Sequence, residues 1–122
     1  LGNPPFVGKN KMNPGQNSDM TLVCGKLKSA GLLDYVCGWY LKAEAYIANH
    51  PIKVGFVSTN SICQGEQVGV IWSELFRRGI KIHFAHRTFP WQSEARGRAH
   101  VHVVIIGFGR GDCENKKIYD YE

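Results

Sequence analysis

The chain has 122 residues, enough for one modest hydrophobic core but hardly for two domains. Its net charge of +5 is compatible with a polyanionic partner without requiring one. The sequence has no apolar run near ~18 residues and no basic-then-apolar leader, so we expect neither a membrane span nor a signal peptide. The four cysteines, Cys24, Cys37, Cys63 and Cys113, form no C-x-x-C pair, so no metal site is predicted. They are predicted to be ordinary thiols in a reducing, cytoplasmic compartment.

The first distinctive feature of the chain is the tetrapeptide Asn3-Pro4-Pro5-Phe6. Two successive prolines cannot extend a helix or donate to a central strand, so the tetrapeptide is predicted to be a rigid turn. It places an amide, a backbone carbonyl and an aromatic ring in one small volume. This combination suits a planar amino group on an aromatic base. The amide and carbonyl oxygens can accept its two N–H bonds, and the aromatic side chain can stack on the base. The alternative is a plain proline turn before a loop.

Two helices are predicted to follow the turn. Residues 7–17 are rich in glycine, proline and asparagine and are predicted to be a loop. A first helix over 20–28 is expected to begin at a serine or aspartate cap directly before it. A second, amphipathic helix is predicted over 33–49, because apolar residues recur there at three-and-four spacing, and it ends before His50-Pro51.

The second half of the chain alternates short apolar runs with one helical pattern. In chain order the sequence predicts a strand over 53–58, a loop over 59–65, a helix over 66–78, a strand over 81–85, a polar stretch over 87–99 that contains Phe89-Pro90-Trp91, a strand over 101–108 and a charged tail over 110–122. The last two strands are joined without a helix, so that pair is predicted to be antiparallel.

This order of elements predicts an α/β fold, namely the second half of a doubly wound sheet. In such sheets ligands bind where parallel strands end, here called the carboxyl edge. Residues 3–6, 58–60 and 86–91 are predicted to meet at that edge. Residues 1–2 are too short to be the strand that leads into the turn, so we expect a piece of a larger domain.

Five stretches of the sequence form a recognisable set. They are Asn-Pro-Pro-Phe at 3–6, Leu-Asp-Tyr with Trp-Tyr within 33–40, F-V-S-T-N-S-I at 56–62, H-F-A-H-R-T-F-P-W at 83–91 and V-H-V-V-I-I-G-F at 101–108. Together they resemble the amino-group DNA methyltransferases that use S-adenosylmethionine, of the gamma-ordered adenine-N6 kind. The match covers nearly the whole chain and is most similar to the large single-chain restriction-modification methylases.

The resemblance implies a partial Rossmann-like class I methyltransferase sheet, with 1–122 as a fragment of one catalytic domain. The implied cofactor of the full-length protein is S-adenosylmethionine, and the implied substrate is double-stranded DNA with a flipped adenine. The cofactor-loop half and the target-recognition domain are expected elsewhere on the same polypeptide, and a nuclease domain there is left open. We therefore expect the 122 residues alone to be inactive and to bind cofactor weakly.

The resemblance also assigns roles to individual residues. They are Asn3, Pro4, Pro5 and Phe6 for catalysis, Phe89 for stacking on the base, and Asp34 and Trp39 beside the cofactor. The Asn3 side-chain oxygen and the Pro4 carbonyl are expected to accept hydrogen bonds from the amine, while Phe6 stacks on its ring. Without the resemblance, helix packing is the alternative for Trp39 and a hydrophobic plug under a loop is the alternative for Phe89.

A glycine-rich run over 107–111 is similar to a nucleotide-binding loop but is not expected to be one. Only eleven residues follow it, many of them charged, so a helix and a second strand are not expected after it. The cofactor loop implied by the resemblance therefore lies before residue 3.

Other functions remain open from the sequence alone. Asn-Pro-Pro-aromatic motifs also occur in methyltransferases that act on other planar nitrogens, namely guanine-N2 of ribosomal RNA, protein glutamine and cytosine-N4. A catalytically silent DNA-binding relic is the alternative outside enzymes.

Overall fold

A mixed arrangement of helices and strands is seen in the computed structural model, which describes residues 1–91 and 101–121. The helices are α1 (Pro14–Cys24), α2 (Tyr35–Tyr46) and α3 (Gln67–Arg77), with 3₁₀ turns at Ala30–Leu32 and Asn60–Cys63; the strands are β1 (Lys53–Thr59), β2 (Lys81–Trp91), β3 (Val101–Gly109) and β4 (Lys117–Tyr119). The α/β class predicted from the sequence is confirmed. The second predicted helix, over 33–49, is shorter than predicted, because α2 begins at Tyr35 and ends at Tyr46.

The strands form one sheet in the order β1-β3-β2-β4. β3 is antiparallel to both of its neighbours, so β1 and β2 run in the same direction, and β4 is parallel to β2. The predicted antiparallel pairing of the last two long strands is therefore confirmed. Thr59 and Phe89 both face Val103 across the sheet, so β1 and β2 reach the carboxyl edge at the same level.

The segment before the proline turn is hydrogen-bonded to this sheet. Gly2 forms a parallel bridge with Phe56. The Gly2 N–H donates to the Gly55 carbonyl and the Val57 N–H donates to the Gly2 carbonyl, both at 3.0 Å. A Cβ atom on Gly2 would lie 2.9 Å from Cε1 of Phe56, so this close approach needs glycine. The pairing delivers the following residues to the carboxyl edge beside β1.

The core between the helices and the sheet is centred on Tyr40 of α2. Its ring stacks on Phe108 at 5.4 Å between centroids, and it meets Phe56 and Trp72 edge-on at 5.1 Å and 5.7 Å. Its hydroxyl lies 2.7 Å from Oγ of Ser58, which satisfies both buried groups. Burial also raises the pKa of Tyr40, so the hydroxyl stays neutral. Ser58, at the end of β1, is therefore used for packing.

α1 begins earlier than the sequence analysis predicted. Asn13 is its N-cap: the Gln16 N–H donates to Asn13 Oδ1 at 2.8 Å, and the Asn13 N–H donates to Gln16 Oε1 at 3.0 Å. Pro14 occupies the first helical position, where its missing N–H costs nothing. The predicted cap at Ser18 or Asp19 is wrong, because the proline marks the start of the helix instead of a loop.

β2 continues past its predicted end at residue 85 and reaches Trp91. A register shift between His86 and Phe89 interrupts its pairing with β3. Pro90 is tolerated because β4 pairs only with Phe84–His86, so no described strand needs a donor from Pro90 on that side. Phe89, Pro90 and Trp91 thus lie on a strand, and residues 92–99 of the predicted polar stretch lie outside the described residues.

The chain after β3 is held to the helices by a buried carboxylate. Glu44 of α2 is 4% exposed and accepts from Arg78 Nη1 at 3.1 Å and from Arg110 Nη2 at 2.5 Å. Arg110, within the glycine run over 107–111, therefore forms a salt bridge, and the chain then continues to β4. The predicted charged tail is partly ordered in that strand.

We expect Glu44→Ala to lower the free energy of unfolding by about 3 kcal/mol, because two arginines lose their shared carboxylate in a poorly hydrated site. Urea unfolding of the full-length natural protein, followed by tryptophan fluorescence, measures this change. Glu114→Ala removes an exposed glutamate and is expected to change stability by less than about 0.5 kcal/mol. Equal effects of the two substitutions would contradict the structural role of Glu44.

Candidate active site

The proline turn lies at the carboxyl edge next to α2. Asn3 and Pro5 are exposed, Pro4 is buried and Phe6 is half-buried. The turn borders an open groove of about 440 Å³. The α2 wall of this groove consists of Trp39, Lys42, Ala43 and Tyr46. The Asn3 amide is therefore accessible from a groove that is also lined by Trp39.

The chain after the turn is fixed by Asp34, the N-cap residue of α2. Its Oδ1 accepts from the Lys9 N–H at 2.9 Å, and the Tyr35 N–H donates to the Val7 carbonyl at 2.9 Å. A carboxylate at this end of α2 is also favoured by the helix dipole. Asp34, predicted to flank the cofactor, thus lies beside the loop that follows Phe6 and orders it.

A glutamine that the sequence analysis missed supports Asp34. Gln67 is the first residue of α3 and is 7% exposed. Its Nε2 donates to Asp34 Oδ2 at 2.7 Å and to the Ser61 carbonyl at 3.0 Å. Its Oε1 accepts from the Asp34 N–H at 3.0 Å and from Cys37 Sγ at 3.2 Å. Burial raises the pKa of the Cys37 thiol, which therefore keeps the proton that it donates.

Phe89 shares the carboxyl edge with the turn but lies on the other face of the sheet. Phe89 pairs with Val103, so these two side chains point to the same face of the sheet. The next residue, Val104, points to the opposite face, where it packs in the core below the helices. On the other face, the Phe89 ring lies 5.4 Å from that of Tyr121, whose hydroxyl is 2.5 Å from Nδ1 of His86. Three strand spacings, about 14 Å, separate β2 from the segment that enters the turn. The predicted edge is therefore formed, without contact between Phe89 and the turn.

Trp39 is the accessible one of two adjacent aromatic residues on α2. Its side chain is 42% exposed, whereas Tyr40 is fully buried. Besides the groove beside Asn3, it lines a second groove of about 290 Å³ that Met20 and Leu22 border. The structure thus places Trp39, and not Tyr40, where a ligand can reach it, and brings it together with the proline turn.

Cysteine pairs, metal-ligand clusters and membrane-spanning helices were each considered in the described part of the chain. The four cysteines are free thiols. Within residues 1–91 and 101–121, no group of three or more histidine, cysteine, aspartate or glutamate side chains is arranged to hold a metal ion. Nor does any helix in those ranges have the length and apolarity needed to cross a membrane.

Known proteins of similar sequence identify the family of this chain. Residues 1–120 match the family model described as MmeI, DNA-methyltransferase domain. The chain belongs to this DNA methyltransferase family. The curated protein DNA methyltransferase A of Bacillus subtilis (strain 168) is 46% identical over 117 residues, which is 96% of this chain and 13% of that protein.

The same family is found among solved structures. The structure of the Type IIL restriction-modification enzyme MmeI in complex with DNA superimposes with a TM-score of 0.95 at 60% identity. The superposition covers 100% of this chain and 16% of that one. The resemblance to a DNA methyltransferase fragment, drawn from short stretches of sequence, is confirmed. The chain spans less than a fifth of either relative.

Proposed function

We propose that this chain is the C-terminal half of the catalytic domain of a DNA methyltransferase that methylates adenine N6 with S-adenosylmethionine, as part of a cytoplasmic restriction-modification system. The observation that carries the proposal is the position of Asn3. It is exposed at the carboxyl edge, directly after a segment paired with β1, and it borders the same groove as Trp39. Membership of the MmeI methyltransferase family supports DNA as the substrate.

The chemistry follows from the weak nucleophilicity of an exocyclic amine, whose lone pair is delocalised into the base. The Asn3 side-chain oxygen and the Pro4 carbonyl accept hydrogen bonds from its two N–H groups. These bonds favour a pyramidal nitrogen and stabilise the positive charge that develops there. Pro5 fixes the backbone that aims both acceptors. Oxygens held in place before the reaction stabilise its transition state more than its ground state.

The arrangement of strands supports a partial doubly wound sheet. The Gly2 segment and β1 are parallel neighbours, β2 runs in the same direction, and β3 lies antiparallel between β1 and β2. Ligands of doubly wound sheets bind at the carboxyl edge, where the turn lies. We place the remaining strands, the cofactor loop and the target-recognition domain elsewhere on one longer polypeptide, since the relatives are several times longer than this chain.

The residues beside the turn fit an adenosyl cofactor. Trp39 offers an exposed indole face at the groove, and Asp34 is the carboxylate that caps the N-terminus of the same helix. Each Asp34 oxygen accepts one protein hydrogen bond and keeps a lone pair for another donor. When bound, S-adenosylmethionine supplies an activated methyl group. The part of these two residues is to orient the cofactor toward Asn3.

The target base must leave the duplex before its amine can reach Asn3, at a cost of a few kcal/mol. Phe6, half-buried in the turn, is the aromatic residue that we place against the base. Phe89, with Trp91 near it, is proposed to stack on the other side of the base. Because β2 lies three strands from the turn, this role requires the end of β2 to approach the turn when DNA binds. Each base–aromatic stack contributes roughly 1–3 kcal/mol.

Replacement of Asn3 by alanine is expected to lower the single-turnover rate of methyl transfer by about 10²–10³ in the full-length natural protein, because one of two fixed acceptors is lost. Tritium transfer to plasmid DNA, with mass analysis of the released nucleosides, measures the rate and identifies N6-methyladenine. Asn10→Ala, at an exposed asparagine of the following loop, serves as the matched control and is expected to be unchanged. Retained methylation in Asn3→Ala would remove Asn3 from the mechanism, and a methylated cytosine or guanine would correct the substrate.

Trp39→Ala is expected to weaken S-adenosylmethionine binding about tenfold or more, which corresponds to the loss of roughly 1.4 kcal/mol of stacking. Isothermal titration of the full-length protein measures the dissociation constant. Phe76→Ala on α3 removes an aromatic side chain of similar exposure, 51%, away from the groove and should leave binding unchanged. The cofactor assignment of Trp39 fails if both variants bind as the wild type does.

A further inference from the structure

Gln67 is the most highly connected polar side chain near the proline turn. Both protons of its Nε2 are donated, to Asp34 Oδ2 and to the Ser61 carbonyl, and both lone pairs of its Oε1 are used, by the Asp34 N–H and the Cys37 thiol. A side-chain amide can make no more hydrogen bonds than these four. It is also buried, so a lost partner could not be replaced by bulk water. The side chain therefore has a single well-defined orientation.

These hydrogen bonds join segments that are far apart in the sequence. Through Asp34, Gln67 is linked to the start of α2 and to the Lys9 amide of the loop after the turn. Through Ser61, it is linked to the 3₁₀ turn that follows β1 at the carboxyl edge. One amide thus connects α3 with the start of α2, with the loop after the proline turn and with the 3₁₀ turn after β1.

The turn itself has no ladder of hydrogen bonds and is placed by its two ends. Before the turn, both the N–H and the carbonyl of Gly2 are hydrogen-bonded to β1. After it, the Val7 carbonyl accepts from the Tyr35 amide and the Lys9 amide donates to Asp34. The Lys9 bond depends on the orientation of the Asp34 carboxylate, which Gln67 sets by contacting both the Oδ2 atom and the backbone N–H of Asp34.

We propose that Gln67 is a positioning residue for methyl transfer. It orients Asp34, and Asp34 holds the loop that fixes residues 3–6 at their C-terminal end. The proposal rests on the function proposed above for that turn. Gln67 contacts neither substrate nor cofactor and acts only through Asp34. A misplacement of about 1 Å at the reacting groups costs on the order of 10²-fold in rate, so a residue remote from the chemistry controls it in this way.

The first test measures order in the loop, not activity. Gln67→Met keeps the approximate size of the side chain and removes all four hydrogen bonds, and Gln64→Met makes the same change at an exposed glutamine three residues earlier. In hydrogen–deuterium exchange of the full-length protein, peptides over 7–12 and the start of α2 should exchange about tenfold faster in Gln67→Met, as expected for about 1.4 kcal/mol of lost local stability. Gln64→Met should match the wild type. Unchanged protection in Gln67→Met would overturn the proposal.

The second test separates positioning from general stability. Well below the unfolding temperature of the variant, Gln67→Met should lower the single-turnover methylation rate about 10–100-fold while KM for DNA changes less than about threefold. A lower unfolding temperature with an unchanged rate would mean that Gln67 is only structural and would overturn the proposal.

The third test is a reciprocal exchange of the amide and the carboxylate. Gln67→Glu alone replaces the Nε2 donor, which lies 2.7 Å from Asp34 Oδ2, with a carboxylate oxygen. Two acceptors then face each other, so exchange of the loop should increase. Combined with Asp34→Asn, the donor and acceptor are swapped and the hydrogen bond between the two side chains can form again. Recovered protection over 7–12 supports the proposal, and a double variant no better than Gln67→Glu contradicts it.

The exchange measurements involve no methyl transfer, so they can refute the positioning role while the proposed function stands. Conversely, unaffected methylation in Asn3→Ala would refute the proposed function and leave the exchange results unchanged.

Discussion

A turn made of two prolines has no backbone N–H at either proline, and no backbone hydrogen bond of the described chain involves residues 3–6. Its position must be imposed by the chain before it and the chain after it. Here the first attachment is to a β-strand, through Gly2, and the second is to the N-cap residue of α2, through Lys9 and Asp34. The position of the Asn3 amide depends on both, and in the proposed function that amide activates a weakly nucleophilic amine.

The sheet supplies the frame for these attachments. Because β3 returns antiparallel between β1 and β2, both outer strands end at the same edge, and the segment entering the turn ends there as well. The aromatic cluster around Tyr40 and the salt bridges of Glu44 hold α2 against this frame from one side. α2 in turn carries both the Asp34 attachment and the exposed ring of Trp39. Fold stability and the geometry of the site therefore depend on the same helix.

Much of this could be predicted from the sequence, and what could not has identifiable physical causes. The three long strands, α2, α3 and the direction of the last strand pair follow from apolar periodicity and connection lengths. The start of α1 was missed because Asn13-Pro14 can begin a loop or cap a helix, and only the reciprocal bond with Gln16 distinguishes them. β4 was missed because three residues of an exposed strand carry no apolar pattern.

The candidate site was predicted unevenly for similar reasons. A rare motif identifies Asn3 to Phe6, but motifs do not report distance, so Phe89 was expected beside the turn and lies three strands away. Gln67 belongs to no motif. Its signal was its spacing of four from Ile71 and eight from Leu75, which puts a polar amide on the buried face of α3. A polar residue on such a face needs partners, and those partners are tertiary contacts that no local pattern contains.

The most direct test of this account is the distance from the Asn3 side-chain oxygen to the exocyclic nitrogen of the target base. It can be measured in a structure of the full-length protein with its DNA and a non-reactive analogue of the cofactor. The account predicts a separation of about 2.7–3.2 Å, with the Pro4 carbonyl as the second acceptor. A flipped base whose amine lies beyond about 5 Å, or is held by other residues, would contradict it.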